Sequence, residues 1–265
     1  MITRGRIALL SAVWALSVAS SLQAAPLSLA IQPVLGQQAT HKAFAPLARY
    51  LGELLRQPCH IVTSPNFLVY WQDMGRRPGP TFVLDAAHFT DYRLTHLGYH
   101  LLVKEPGTVS YSLVVRGSEM VLEPSALAGL PVASLGIPSM GAALLNHIFP
   151  HPTRRPIIVA ARDAAAEFRL LAARKVSAAM IPTPLVAQAM AHGANLSVVV
   201  TTPSIPNIAL SVGPGWSQAQ RARLRRALVS APAALFKAIG LRRFMVAKPA
   251  EYRGQDRILK TYWGY

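Results

Sequence analysis

The sequence predicts an α/β protein of two lobes, each built on a mostly parallel sheet, with the chain crossing between them twice. Two observations lead there. Strand-like and helix-like segments alternate from Leu27 to Leu228, the signature of βα units around parallel sheets. Breaks near Glu105–Tyr111 and Thr202–Asn207 interrupt that alternation, and the piece between them holds its own βα units. A lobe inserted into another lobe makes a hinge, whose usual consequence is closure around a ligand. No repeat of solenoid length is present.

Leu27–Gln32 reads as a short apolar strand closed by Pro33. Thr40 can cap a helix over His41–Leu55, where Phe44, Leu47, Ala48, Leu51, Leu54 and Leu55 form one stripe at helical spacing. Pro58 stops it, and Cys59–Thr63 is the second strand. Phe67–Met74 is a helix, Gly75–Pro80 a loop, and Thr81–Leu84 a strand running into the turn Asp85-Ala86-Ala87-His88-Phe89. Tyr99–Lys104, Tyr111–Arg116 and Pro131–Leu135 are strands, with a short helix over Leu122–Gly129. Helices are expected over Ser139–Ile148, Ala164–Ala173 and Thr183–Ala191, interleaved with strands at Arg155–Ala160, Val176–Ile181 and Leu196–Thr201. Ile208–Val212 is a strand, Ser217–Leu228 an arginine-rich helix, and residues 233–265 are helical in part.

The amino terminus reads as a secretory leader: a basic head with Arg4 and Arg6, the apolar run Ile7–Leu22, and a cleavage site after Ala24. The run is short of the about 20 residues that a bilayer span needs. A periplasmic location follows as an expectation, with residues 1–24 removed, one lobe from 25–108 and 205–265, and the other from 109–204. Cys59 is the only cysteine, which excludes an intrachain disulfide and a cysteine zinc cluster, and it reads as a small buried hydrophobe. The chain carries 27 Lys+Arg against 11 Asp+Glu, a formal charge of +16. Such a balance favours anionic partners, small oxyanions or acidic head groups. Arg-Arg pairs at 76–77, 154–155, 225–226 and 242–243 spread much of it as a solvated surface. Nucleic acid is a poor partner for an exported chain lacking an arginine-aromatic motif.

Catalysis finds little support. Gly136-Ile137-Pro138-Ser139-Met140-Gly141 has Ile137 where a nucleophile elbow needs glycine. No metalloprotease, phosphate-loop or dinucleotide motif occurs, and no spaced pair of carboxylates suits acid–base work. No enzyme activity, cofactor or metal is expected.

Several segments, taken in order, resemble the type 2 periplasmic binding proteins, and within them the phosphate/phosphite/phosphonate branch. A strand ending Gln32-Pro33 precedes a helix containing Phe44-Ala45-Pro46-Leu47-Ala48-Arg49-Tyr50-Leu51. Asp85–Tyr92 lies at the strand-to-helix turn, and Tyr111–Arg116 at the strand entering the second lobe. Leu127–Ala133, Pro138-Ser139-Met140-Gly141 and Ala178–Pro182 follow at their places. The chain departs from the pattern at Met140, where a hydroxyl often sits, and at Arg174-Lys175-Val176-Ser177, in place of Gly-x-x-Asp. The resemblance implies a two-lobed, monomeric substrate-binding protein of an ABC transporter. It would hold phosphonate, phosphite or phosphate in the interlobe cleft and hand it to a membrane permease. A sensor or envelope interaction protein of the same fold is the alternative, favoured by the thinned hydroxyl loop.

An oxyanion in such a cleft needs several donors, and helix amino termini supply N–H groups with partial positive charge. Ser139, Met140 and Gly141 can hold anion oxygens, although Ser139 is equally an N-cap. Arg162 can meet an anion bidentately, beside Asp163 as a cap. His88 and Phe89 offer a donor and an apolar wall, or serve the core. Tyr111 at a crossing strand, Gln32 at the end of the first strand and Thr183 after Pro182 complete the expected site, each with a structural role as the competing reading.

Overall fold

The computed structural model describes residues 26–263. The expected leader lies outside the described residues. The first sheet is built from β1 (Leu27–Ile31), β2 (Cys59–Val62), β3 (Phe82–Asp85), β4 (His100–Lys104), β12 (Ala209–Val212) and β13 (Met245–Val246), in spatial order β13-β4-β12-β3-β1-β2. β1 pairs parallel with β2 and β3, whereas β12 runs antiparallel to β3 and β4, so β2, β1, β3 and β4 share one direction. Alternation along each strand serves two helix layers. Leu29, Ile31, Phe82 and Leu84 face α1 (Gln37–Leu55), which buries Leu47, Ala48 and Leu51. Ala30 and Val83 face the opposite side, against Phe67, Tyr70 and Met74 of α2 (Phe67–Met74) and Phe89 of α3 (Ala87–His96).

The second sheet contains β6 (Tyr111–Arg116), β7 (Pro131–Ser134), β8 (Ile157–Ala160), β9 (Ala178–Pro182) and β10 (Leu196–Thr201), in order β10-β6-β9-β7-β8. Here β6 is the reversed strand, antiparallel to β9 and β10. Thus β6 and β12, the first long strands after each crossing, oppose the βα strands they join. Leu113 and Val115 pack on α4 (Met140–Ile148), and Val114 on α5 (Ala164–Ala172). α6 (Thr183–Ala191) follows β9 directly. The two crossings themselves pair: β5 (Thr108–Val109) and β11 (Ile205–Pro206) form a small antiparallel ribbon between the lobes.

Some boundaries differ from expectation for local reasons. α1 begins at Gln37 with Gly36 as N-cap; Thr40 is buried one turn in, and its hydroxyl donates to the Leu35 carbonyl at 3.2 Å. The helix expected over Leu122–Gly129 is one 3-10 turn, Pro124–Leu127, because Pro124 starts it and Gly129 turns the chain at φ +70°. The carboxy-terminal region forms α7 (Gln218–Val229), α8 (Ala233–Ile239), β13, α9 (Pro249–Tyr252) and α10 (Arg257–Trp263). α10 touches both lobes, α3 in the first and α4 in the second. Leu259 is buried beside Phe67, Tyr70 and Phe89, and Ile258 packs against that cluster and the second lobe's core.

One buried ion pair fixes the turn after β3. Arg93 Nε donates to Asp85 Oδ2 at 2.9 Å, Tyr70 Oη to the same oxygen at 2.9 Å, and Thr90 Oγ1 to Oδ1 at 2.9 Å. The Arg93 guanidinium lies 5.6 and 5.2 Å from the ring centres of Tyr70 and Tyr99. Burial pushes the Asp85 carboxyl above its ordinary value, against the lowering pull of Arg93 and the other donors. Arg93→Met therefore strands a buried carboxylate and is expected to cost roughly 3–5 kcal/mol. Urea unfolding checks this, and a loss below about 1 kcal/mol, the level of an exposed pair, would show the network to be dispensable.

Candidate functional site

In open α/β sheets ligands bind beyond the carboxyl ends of the parallel strands. Both sheets aim those ends at the same gap. Gln32 follows β1, Ala86 follows β3, Leu135 follows β7, and Pro182 ends β9 beside Tyr111 at the start of β6. Together with Val34, Phe67, Ser139, Met140, Gly141 and Met180 they line a cavity of about 20 Å³ between the lobes. Roughly one water molecule fills such a space.

Its donors are neutral. Ser139 caps α4, its Oγ accepting from Ala142 N at 3.3 Å, and its backbone N–H donates to the Gly136 carbonyl at 2.8 Å. The N–H groups of Met140 and Gly141 occupy the first turn, where a helix offers no acceptor, and carry its partial positive charge. A side chain at Gly141 would bring a Cβ to 3.1 Å from the Met180 carbonyl, so glycine keeps this helix start against β9. Gln32 Oε1 accepts from Ala86 N at 2.9 Å, which orients its NH2 as a donor. Tyr111 is tied by its backbone to Thr202, and burial, with Glu167 nearby, pushes its phenol up. No Lys or Arg lines this cavity among the described residues.

Glu167 was not singled out in the sequence, where it is one acid in an alanine-rich helix. It is fully buried one turn into α5, with neither carboxyl oxygen hydrogen-bonded among the described residues. Burial, then the charge of Asp163, pushes it well above the usual carboxylate range.

Of the residues expected from sequence, Gln32, Tyr111, Ser139, Met140 and Gly141 meet around the one cavity. The remaining four lie elsewhere. His88 is buried beside the gap, and its Nε2–H donates to the Pro138 carbonyl at 3.0 Å, one lobe to the other. Phe89 packs in the first lobe's core, stacked on Phe67 at 6.0 Å between centroids. Arg162 is exposed at the outer mouth, near Asn66 and Ile137, with Nε 3.2 Å from Asp163 Oδ2. Thr183 joins a hydroxyl chain at the hinge, 2.9 Å from both Ser110 and Ser112. The walls Ala86, Leu135 and Pro182 were overlooked, although the strand-end rule marks each. Asp163 does cap α5, accepting from Ala166 N at 2.7 Å. Its other oxygen would lie 3.5 Å from a Cβ on Gly36, at the uncapped amino end of α1 across the gap.

Among known proteins, a family model described as "ABC transporter, phosphonate, periplasmic substrate-binding protein" matches residues 29–252. PhnD1 from Prochlorococcus marinus, solved with methylphosphonate, superposes with a TM-score of 0.75 at 12% identity, covering 90% of this chain and 98% of that one. The binding protein of an ABC phosphonate transporter from Pseudomonas aeruginosa gives 0.68 at 12% identity, over 86% and 83%. A Xanthomonas citri protein solved with chloride gives 0.71 at 15%, over 88% and 95%. No curated protein sequence matches the chain significantly. With most of its length matched by that model and the fold shared with these structures, the chain belongs to the phosphonate family of periplasmic substrate-binding proteins of ABC transporters.

Proposed function

We propose that this chain captures a small oxyanion, phosphonate foremost, between its lobes and delivers it to its membrane permease. The observation that carries the reading is the start of α4, where Ser139, Met140 and Gly141 line the interlobe cavity beside Gln32 and Tyr111. Neutral donors suit the task, since a carrier must release its anion and a buried ion pair would oppose release. The methylphosphonate bound by PhnD1 supports the same ligand class. The protein works as a periplasmic monomer, with lobes 25–108 plus 205–265, and 109–204.

Closure has a physical basis in three cross-lobe contacts. His88 donates to the Pro138 carbonyl, the Ala164 N–H donates to the Val34 carbonyl at 3.1 Å, and Asp163 faces the amino end of α1. With room for about one water, the cavity admits a phosphonate only when the lobes part at the β5/β11 ribbon. Ligand and closure then favour each other.

Methylphosphonate at about 100 times its dissociation constant should stabilise the protein by roughly 2.7 kcal/mol and raise the melting midpoint by several degrees. No shift with methylphosphonate, phosphite or phosphate would sink the oxyanion reading. Ser139→Ala removes a hydroxyl donor to a charged ligand, a loss of about 1.5–3 kcal/mol or some ten- to hundredfold in affinity. Calorimetric titration reads it directly, and an unchanged affinity would reduce Ser139 to a cap.

The cross-lobe histidine gives a pH dependence. Burial pushes His88 down to about 4, from an ordinary value of 6.5. The unfolded chain therefore takes up a proton below pH 6.5 that the closed protein refuses. Stability from this group is whole above pH 6.5 and declines as pH falls, by about 3 kcal/mol at pH 4. Melting midpoints between pH 7 and 4 should fall less steeply in His88→Gln; equal slopes would remove His88 as the cause.

A further inference from the structure

An adjoining space of about 290 Å³, walled in part by Phe44 and Leu241, continues the interlobe cavity toward the hinge and belongs with it. Away from both, on the flank of the first lobe, a groove of about 960 Å³ runs between α1 and β2. β2 is the last strand of its sheet and pairs with β1 alone. Leu27 N donates to the Pro58 carbonyl at 3.0 Å, and in a parallel ladder alternate residues address the same neighbour. Pro58, His60 and Val62 therefore face β1 with their backbone groups, and the N–H and C=O groups of Cys59 and Ile61 turn outward. The Cys59 and Ile61 side chains pack against the core beneath α1, whereas His60 and Val62 are exposed on the opposite face. Glycine at position 52 lets α1 lie close to the start of this strand. A Cβ there would come within 3.0 Å of the Gln57 carbonyl and 3.5 Å of Cys59 N.

The α1 side of the groove is cationic. Lys42, Arg49 and Arg56 recur at seven-residue intervals, two helical turns apart, and all three are exposed. Along the helix they span about 21 Å, the length of an extended segment of about seven residues. Among the described residues none of the three is ion-paired, and Glu53 is the one acid on the groove wall. An unpaired strand edge thus lies beneath a row of unpaired cations. A small anion would engage the cations and leave the edge to water. A bilayer is flat and does not reach into the groove to Cys59 and Ile61. A second copy of this chain, itself at +16, brings the wrong sign. We infer that the groove receives an extended acidic segment of a partner protein, added to β2 as a further strand. Its backbone pairs with Cys59 and Ile61, its acidic side chains face Lys42, Arg49 and Arg56, and its alternate side chains lie beside Val62. This docking site is separate from the ligand cleft.

The test is fluorescence anisotropy of a dye-labelled, end-blocked peptide of alternating glutamate and valine, about seven residues long, titrated with the protein. Its N-methylated analogue keeps the charge and loses every N–H donor, and should bind at least about tenfold more weakly. A lysine-for-glutamate analogue should not bind. Arg49→Glu removes an exposed pair and adds a repulsion of similar size, so affinity should fall by roughly five- to tenfold at low salt. Lys42→Glu, equally exposed, serves as a second variant, and methylphosphonate affinity should be unchanged in both. Cys59, the only cysteine, lies on the groove wall, so its alkylation should slow when the peptide is bound. No binding at millimolar peptide, or equal binding of the N-methylated analogue, would overturn the inference and leave the oxyanion reading untouched. Binding of phosphatidylglycerol vesicles that is lost in Arg49→Glu, with the peptide inert, would overturn it in favour of a membrane surface.

Discussion

The antiparallel pairing of Thr108–Val109 with Ile205–Pro206 is the constraint on which the rest of the molecule turns. Two separate strands would let the lobes tumble; two hydrogen-bonded strands limit them to bending and twisting about one ribbon. The chain leaves that ribbon as β6 and returns as β12, each opposed to the βα strands of the sheet it enters. That reversal leaves the carboxyl ends of β1 and β3 facing those of β7 and β9. The cleft is therefore a product of connectivity before any side chain is considered.

Within the cleft, electrostatics runs against the bulk composition. The formal charge is +16, yet neither of the two adjoining cavities at the strand ends is lined by a Lys or Arg among the described residues. Glu167 and Tyr111 are both pushed toward their neutral forms by burial. Apart from the buried Arg93, arginines lie on helices such as α7 and at the mouth, where Arg162 is paired with Asp163. Surface charge of this kind raises the local concentration of anions approaching the protein. Under the proposed function, what holds one inside is the backbone at the start of a helix.

Much of the architecture was legible because it rests on local signals. The period of α1, the caps Ser139 and Asp163, and the two breaks all report nearest-neighbour chemistry, and β6 and α6 match the expected Tyr111–Arg116 and Thr183–Ala191. The lining of the candidate site was legible where it follows from strand ends and helix starts, as for Gln32, Tyr111 and Ser139. It was not legible where long-range packing decides. Nothing near Glu167 in sequence tells that the sheet will close over its carboxyl. Nothing near His88 tells that its partner is the Pro138 carbonyl fifty residues on. Phe44 and Leu241 read only as core residues, because a cavity wall and a core share the same composition.

The placement of α10 bears on handling the protein as much as on its motion. Leu259 is seated in the first lobe, while Ile258 touches the hydrophobic clusters of both. The opening proposed above would have to draw Ile258 off one of those surfaces, so α10 would shift against a lobe each time. A fluorophore carried on the exposed Lys260 of α10 would ride on that element. An optical reporter of occupancy can thus be attached without altering a single residue of the cleft.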